Sequence, residues 1–165
     1  MTIIIKNKET LLFNDFIFKC SIGKNGFKKN KKEGDNTTPR GTFSLGDLYY
    51  RSDRIKKPLT KLNTIKITKN MGWCDDPKSN LYNKLIKIKK NIKISYEKLF
   101  RKDHKYDLLI LIKYNYKRPI RFKGSAIFLH LTNNYSPTKG CIVLKKKDFL
   151  ILNKIIDKKT KIKIY

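Results

Sequence analysis

The most informative stretch of this chain is Ala126-Ile-Phe-Leu-His-Leu-Thr-Asn-Asn-Tyr-Ser-Pro-Thr-Lys-Gly-Cys-Ile-Val-Leu144. An apolar run of strand length carries His130, a loop of polar and turn-forming residues follows, and a short apolar run begins behind Gly140 and Cys141. Two strands joined by such a loop can fold back on each other. The stretch therefore predicts that the imidazole of His130 and the thiol of Cys141 lie close together.

This pairing has a chemical meaning. A thiol is mostly protonated at neutral pH because its unperturbed pKa is about 8.5, and an imidazole within hydrogen-bond reach can remove the proton. We therefore interpret Cys141 as the nucleophile and His130 as the general base of an acyl-transfer site. Gly140 lets the chain turn tightly, and the N–H groups around Gly140 and Cys141 are candidate oxyanion donors. A satisfied core histidine is the alternative reading of His130.

Composition limits the other functions. The 165 residues, 39% of them hydrophobic, favour one domain over residues 1–165 with a proper core. The net charge of +27 would suit an anionic partner, but only six of the 40 basic residues are arginine. Nucleic-acid recognition usually employs arginine for bidentate contacts, so we expect no nucleic-acid partner. No apolar run approaches the roughly 20 residues that a membrane-spanning helix needs.

The cysteines and histidines give no sign of a metal or a cofactor. Cys20, Cys74 and Cys141 lack CxxC spacing, and the two histidines are far apart in sequence. We expect Cys20 to be a small buried hydrophobe, with a Cys20–Cys74 disulfide as the less favoured alternative. The glycines are too irregular for a phosphate loop, so no nucleotide cofactor is expected.

The pattern along the chain predicts a mainly β (α+β) domain, a mixed β-sandwich or barrel-like sheet with one or two short helices. The longer apolar runs, 106–114 and 126–131, are typical of central strands covered on both faces. A loop is expected over 21–39, a short helix capped by Ser95 through Arg101, and a second helix over 146–157. The remaining predicted strands are Ile3–Ile5, Leu11–Cys20, Thr42–Tyr50, Thr64–Lys69, Leu85–Lys90, Ile142–Leu144 and Thr160–Tyr165.

The arrangement of His130 followed by Thr138-Lys-Gly-Cys-Ile-Val-Leu144 resembles the catalytic signature of the L,D-transpeptidases with a YkuD-type domain. In that family a histidine precedes a Ser/Thr-His-Gly-Cys-x-Arg sequence by a similar interval. The resemblance runs from about Ser21 to the C-terminus. The other segments that carry it are Lys32-Glu-Gly-Asp-Asn-Thr-Thr-Pro-Arg-Gly-Thr-Phe43, Gly72-Trp-Cys-Asp-Asp-Pro77, Leu81-Tyr-Asn83, Tyr106-Asp107, Tyr114-Asn115 and Gly124-Ser-Ala-Ile-Phe-Leu-His130.

The resemblance implies a YkuD-type fold and a cysteine acyltransferase whose partner is the stem peptide of peptidoglycan, an anionic cell-wall polymer. Cys141 would attack the carbonyl before the terminal D-amino acid of a tetrapeptide stem, with His130 as general base and then general acid. An amine would resolve the thioester to give a cross-link or an exchanged D-amino acid, whereas water would make the enzyme an L,D-carboxypeptidase. No cofactor is implied.

Two positions depart from the family pattern, because Lys139 replaces its histidine and Val143 its arginine. Substrate carboxylates then need other cations, and Lys139, Arg40 or nearby lysines could serve. A backbone carbonyl is the first candidate to orient the imidazole, with Ser136 and Thr138 as the others. Trp73 is favoured as a packing anchor over a substrate platform. The predicted substrate-binding residues are Lys139, Thr138, Ser136, Tyr114, Asn115, Trp73, Asp75 and Arg40.

Other readings stay open at this point. The replacements at Lys139 and Val143 also fit a non-catalytic, Lys-rich binding protein for an anionic polymer, and the same dyad would serve a papain-like or amidase-type thiol hydrolase. The family implies a periplasmic or cell-wall location. Met1-Thr-Ile-Ile-Ile-Lys6 offers no basic region and no apolar stretch of the length of a secretory signal, which leaves a cytoplasmic location open.

Overall fold

The computed structural model describes all of residues 1–165 and is mainly β, as predicted. It contains one helix, α1, over Lys146–Ile155. The strands are Thr2–Ile5 (β1), Thr10–Phe13 (β2), Phe16–Lys19 (β3), Phe27–Lys28 (β4), Thr38–Pro39 (β5), Gly41–Tyr50 (β6), Thr64–Lys66 (β7), Met71–Cys74 (β8), Leu85–Lys87 (β9), Tyr96–Lys98 (β10), Leu108–Ile112 (β11), Phe128–Leu131 (β12), Ile142–Leu144 (β13) and Lys161–Ile164 (β14).

The main sheet has the strand order β13-β12-β11-β6-β14-β1-β2-β3, with β7 beside β6. Its two ends meet, because Ser21 follows β3 and bridges to Val143 in β13. The Ser21 N–H donates to the Val143 carbonyl at 3.2 Å, and the Val143 N–H donates back at 2.9 Å. The sheet is therefore nearly closed and barrel-like. A small sheet, β10-β8-β9, covers part of its surface.

The central strands β11 and β12 are buried at every residue. Side chains alternate across a strand, so Ile110 and Leu129 face the large core together with α1, whereas Leu109 and Phe128 face a second core beneath the small sheet. The prediction of central strands covered on both faces is confirmed. These two strands and β13 carry the candidate site.

The helix α1 is also confirmed. It buries Phe149, Leu152 and Asn153 and leaves its other faces toward solvent. Phe149 and Leu152 belong to the core on the inner side of the sheet. The helix follows β13 directly in the chain and packs against β12. No helix of the structure is long and apolar enough to cross a lipid bilayer.

Two predicted elements were wrong. The segment Leu11–Cys20 is a hairpin rather than one strand, because Asn14 adopts a left-handed conformation with φ of 50° between β2 and β3. The segment 95–101 contains no helix. Residues Tyr96–Lys98 form the strand β10, which pairs with the distant strand β8. A pairing partner far away in sequence supplies the backbone hydrogen bonds there, and local helix spacing does not reveal it.

The cysteines are all free and buried. The favoured reading of Cys20 as a small buried hydrophobe is confirmed, and the Cys20–Cys74 disulfide is not formed. The predicted loop 21–39 holds only the two-residue strands β4 and β5, which pair with each other.

Candidate active site

Adjacent parallel strands place the two central side chains. In the pairing of β12 with β13, Leu129 is opposite Ile142 and His130 is opposite Val143. Because side chains alternate with a period of two, His130 and Cys141 lie on the same face of the sheet. They are 6% and 8% exposed. The structure thus brings the imidazole and the thiol to one place, as the sequence pattern predicts.

Both side chains line a cleft of about 760 Å³. Of the predicted substrate-binding residues, Lys139, Thr138, Ser136 and Asp75 line the same cleft. Its wall is strongly charged and of mixed sign. The cations are Lys24, Lys31, Arg101, Lys105 and Lys139, and the carboxylates are Glu33, Asp75 and Glu97.

The Cys141 thiol is held as a neutral group. Its S–H donates to the Ala126 carbonyl at 3.2 Å, and its sulfur accepts from the Phe128 N–H at 3.4 Å. Burial raises the pKa of Cys141 to about 12, and the charge of Glu97 adds to the rise. The Phe128 N–H and Lys31 oppose it only in part. The thiol therefore needs a base at the moment it attacks.

His130 is held as a neutral imidazole. Burial lowers the pKa of His130 to about 4, and the nearby charges of Lys105 and Arg101 lower it further. Its Nδ1 lies 3.0 Å from the Leu131 carbonyl oxygen, so we assign the proton to Nδ1. This backbone contact is the orienting partner that we placed first. Nε2 then carries the lone pair that can accept the thiol proton.

Ser136 and Thr138, the other candidates for orienting the imidazole, are engaged elsewhere. The Ser136 hydroxyl donates to Asn134 Oδ1 at 2.9 Å. The Thr138 hydroxyl donates to the Cys141 carbonyl at 2.6 Å and accepts from the Gly140 N–H at 3.0 Å. Thr138 thus braces the turn that carries the thiol. The Cys141 N–H makes no hydrogen bond within the chain and is the free candidate oxyanion donor, whereas that of Gly140 is occupied.

Gly140 has a steric reason to be glycine. Its φ is +143°, and a Cβ there would lie 2.8 Å from the backbone oxygen of Thr37. Strand β5 packs against this turn, since the buried Thr38 hydroxyl donates to the Gly140 carbonyl at 2.8 Å and accepts from the Gly23 N–H at 2.8 Å. A segment about one hundred residues away in sequence therefore positions the nucleophile.

Lys31 is a cation of the site that sequence reasoning missed. Its side chain is buried against Gly124 and Gly140, and its Nζ donates to Asp35 Oδ1 at 2.7 Å. Burial opposes the ionisation of Asp35, but hydrogen bonds from Lys31 and Thr37 hold its pKa well below the usual range. Lys31 lies within the predicted loop 21–39, and nothing in its spacing separates it from the other lysines of that loop.

Tyr106 and Glu97 were also missed. The Tyr106 ring packs edge-on against the His130 ring, with 4.9 Å between the ring centroids, and its hydroxyl donates to Glu97 Oε1 at 2.6 Å. Burial raises the pKa of Glu97, and the hydrogen bond from Tyr106 partly offsets the rise. Tyr106 lies in one of the segments that carry the family resemblance. Glu97 lies in the segment that was wrongly predicted as a helix.

Four predicted substrate-binding residues do not line the cleft. Trp73 is buried, and its Nε1–H donates to Asn83 Oδ1 at 2.8 Å, so it has the packing role that we favoured. The Tyr114 hydroxyl donates to the Lys123 carbonyl. Asn115 fastens the loop that follows it, and Arg40 lies over the Phe27 ring.

The two departures from the family pattern differ in position. Val143 is buried on the face that carries His130, in β13, which closes the barrel through its bridge to Ser21. Lys139 is exposed at the rim of the cleft. Of the cations named from the sequence, Lys139 is available to a substrate in the cleft and Arg40 is not. No group of three or more His, Cys, Asp or Glu residues could hold a metal ion.

The barrel-like β domain carries an imidazole on β12 and a thiol directly before β13, both at one cleft, which is the arrangement that a cysteine-dependent enzyme needs. The family model of the YkuD L,D-transpeptidase catalytic domain matches residues 1–164, and the chain belongs to this family. The family implies a transpeptidase-type enzyme that acts on peptidoglycan. No curated protein gives a significant match to the chain.

Proposed function

We propose that this protein is an L,D-transpeptidase that acts on the tetrapeptide stems of peptidoglycan through a thioester on Cys141. The observation that supports the proposal best is that the neutral thiol of Cys141 and the neutral imidazole of His130 lie on one face of the sheet and line one cleft, in a chain of the YkuD family. The fixed positions of both groups suit a reaction that moves one proton between them.

Acylation begins with the Cys141 sulfur attacking the carbonyl carbon of the bond before the terminal D-amino acid. His130 Nε2 takes the thiol proton as the C–S bond forms, and the negative charge passes to the carbonyl oxygen beside the Cys141 N–H. The tetrahedral intermediate collapses when His130 returns the proton to the leaving nitrogen. A thioester and a free D-amino acid result.

Deacylation reverses these roles. The amine of a second stem, or of a free D-amino acid, attacks the thioester carbon, and His130 accepts a proton from it. The Cys141 sulfur leaves and regains that proton, which completes a cross-link or an exchange. Water in place of the amine would give a carboxypeptidase, so the products identify the acceptor.

The direction of both pKa shifts explains why proton transfer and bond formation are coupled in this proposal. Free Cys141 does not ionise ahead of the substrate, because burial raises the pKa of the thiol and lowers that of His130. The charge is instead created on the carbonyl oxygen, where a backbone N–H can meet it. The mechanism therefore depends on geometry rather than on a preformed thiolate.

The charges of the cleft suit a tetrapeptide stem, which carries both carboxylates and an amino group. We propose that Lys139 at the rim binds a substrate carboxylate and that Asp75, with the nearby Glu97, faces an amino group. The Asp75 carboxylate accepts from the Ser95 hydroxyl at 2.6 Å, which fixes its direction. This supports a zwitterionic peptide substrate over a purely anionic polymer.

The test is the release of D-alanine from a disaccharide-tetrapeptide, with dimeric and exchanged products followed by chromatography. We expect Cys141→Ala and His130→Ala to abolish release. Cys20→Ala is the matched control, since Cys20 is a buried free thiol that lies outside the cleft. Full activity of Cys141→Ala in a folded protein would reject the proposal.

The family's substrate also suggests where the protein acts, which is the periplasm or the cell wall. Fractionation of cells that produce the full-length chain with a C-terminal tag would test this. Recovery with the wall or periplasmic fraction is expected. Exclusive recovery with the cytoplasm would point instead to free muropeptides as substrates.

A further inference from the structure

The loop between β11 and β12 presents apolar side chains to water. It reads Lys113-Tyr-Asn-Tyr-Lys-Arg-Pro-Ile-Arg-Phe-Lys123, and we call it the cationic loop. Ile120 is 58% exposed and Phe122 is 56% exposed. Leu81, also exposed, is near them in space, because Arg121 donates to the neighbouring Asn80 at 2.9 Å. Clustered exposed apolar groups of this kind mark interaction surfaces.

The backbone of the cationic loop is braced from inside. Asn115 accepts from the Ile120 N–H at 2.8 Å and donates to the carbonyls of Ile120 and Gly124 at 3.0 and 2.9 Å. The Tyr114 hydroxyl donates to the Lys123 carbonyl at 2.6 Å. The loop therefore has a defined shape, and its tip is not a slack connection between strands.

Phe122 shows that this shape is imposed. Its φ is +63°, a left-handed conformation that is unusual for a bulky residue. The Glu33 N–H donates to the Phe122 carbonyl at 2.7 Å and helps to hold it there. The chain thus maintains a disfavoured backbone conformation at a residue whose ring faces water, and such outliers point to a function.

The charges of the cationic loop have one sign. Its five cations are exposed and form no ion pair, and the chain has no acidic residue between Asp107 and Asp148. Two of the six arginines of the protein lie here, whereas Arg51, Arg54 and Arg101 are paired with carboxylates. The cations are Lys113, Lys117, Arg118, Arg121 and Lys123.

We propose that the cationic loop binds the surface of an anionic phospholipid membrane, with Ile120 and Phe122 entering the headgroup region and the cations facing lipid phosphates. Apolar side chains surrounded by cations are the combination that an anionic lipid interface binds. A soluble polyanion could bind lysines at many places on this protein, and it would leave the Ile120 side chain in water. The observations therefore favour the membrane, and the inference does not depend on the proposed enzymatic activity.

The consequence is an orientation of the cleft. The loop continues through Gly124 into Ser125, which lines the cleft. The Phe122 carbonyl accepts a hydrogen bond from the N–H of Glu33, which also lines the cleft. A membrane contact at the cationic loop would hold this end of the cleft close to the bilayer surface.

Tryptophan fluorescence of the full chain tests insertion directly. Phe122→Trp is compared with Ile17→Trp, a matched control at a 76% exposed apolar site in β3, on the β2–β3 hairpin. With vesicles of phosphatidylglycerol and phosphatidylcholine, we expect a blue shift and quenching by brominated lipid at position 122 only. No change at 122, or equal changes at both positions, overturns the proposal. The same blue shift with soluble polyphosphate would show that the partner is a polymer.

Vesicle sedimentation separates the loop from the general charge of +27. We expect Ile120→Ser with Phe122→Ser to weaken binding about tenfold at moderate salt, whereas Ile17→Ser has no effect. In the double variant Arg118→Gln with Arg121→Gln, the affinity for vesicles should fall about fivefold for each cation removed. Lys158→Gln with Lys159→Gln, on the turn after α1, is the charge-matched control. Equal losses in both cation pairs would mean that charge alone drives binding and would contradict the proposal.

Discussion

Replacing Thr38 with valine tests how the fold positions the nucleophile. The two side chains have nearly the same shape, but valine lacks the hydroxyl that donates to the Gly140 carbonyl and accepts from the Gly23 N–H, both at 2.8 Å. All three residues are buried. Each unsatisfied buried polar group costs about 1–3 kcal/mol. For two such groups we expect the free energy of unfolding to fall by about 2–6 kcal/mol.

The same change should also act on the chemistry. Without the Thr38 hydroxyl the Gly140 carbonyl is released, so the turn that carries Cys141 loses the contact from below. We expect acylation to slow at least tenfold in protein that is still folded. The reason is that displacing a nucleophile by about 1 Å lowers its rate of attack by about tenfold or more.

The assays are urea unfolding and the rate of D-alanine release. Thr38→Ser keeps the hydroxyl and should restore most of the rate, and Thr42→Val, at an exposed position of β6, should leave both quantities unchanged. If Thr38→Val unfolds within about 0.5 kcal/mol of the wild type and acylates normally, the bracing of the turn by Thr38 is refuted.

Three further predictions concern the same site. Gly140→Ala should abolish acylation and destabilise the fold by about 2 kcal/mol or more, since its Cβ would meet the Thr37 oxygen at 2.8 Å; wild-type activity would contradict this, and circular dichroism checks folding. Glu97→Gln removes a charge that raises the pKa of Cys141, so the midpoint of the alkylation rate against pH should move down; an unchanged midpoint speaks against it. Burial lowers the pKa of His130 to about 4, so the contribution of the neutral imidazole to the free energy of unfolding is complete above the unfolded pKa of about 6.5 and is lost as the pH falls toward 4. Acid should therefore narrow the difference in the free energy of unfolding between the wild type and His130→Gln.

The parts of the fold that the sequence predicts best are those fixed by local pattern. The runs 108–112 and 128–131 are apolar at nearly every position. A continuous apolar run of this length is typical of a strand that is covered on both faces. The spacing of Phe149 and Leu152 likewise identifies α1. His130 and Cys141 come together because their strands are neighbours in the sheet and the loop between them is short.

The parts that escaped prediction depend on contacts between distant segments. Strand β10 exists because β8 pairs with it. Thr38 matters because it reaches Gly140 across 102 positions, and Lys31 because it packs beneath the same turn. Neither contact leaves a periodic signal in a single sequence. Asn115, named as a substrate contact, instead fastens the loop that follows it, through partners that only the fold defines.

The central claim is that Cys141 forms a thioester with a peptidoglycan stem. Its most direct test is mass spectrometry of the intact protein after incubation with a disaccharide-tetrapeptide, followed by mapping of the modified peptide. The account predicts an adduct on Cys141 with the mass of the stem without its terminal D-alanine, present in the wild type and absent from Cys141→Ala. A wild-type protein that releases D-alanine while the adduct is absent, or carries it on Cys20 or Cys74, would contradict the account.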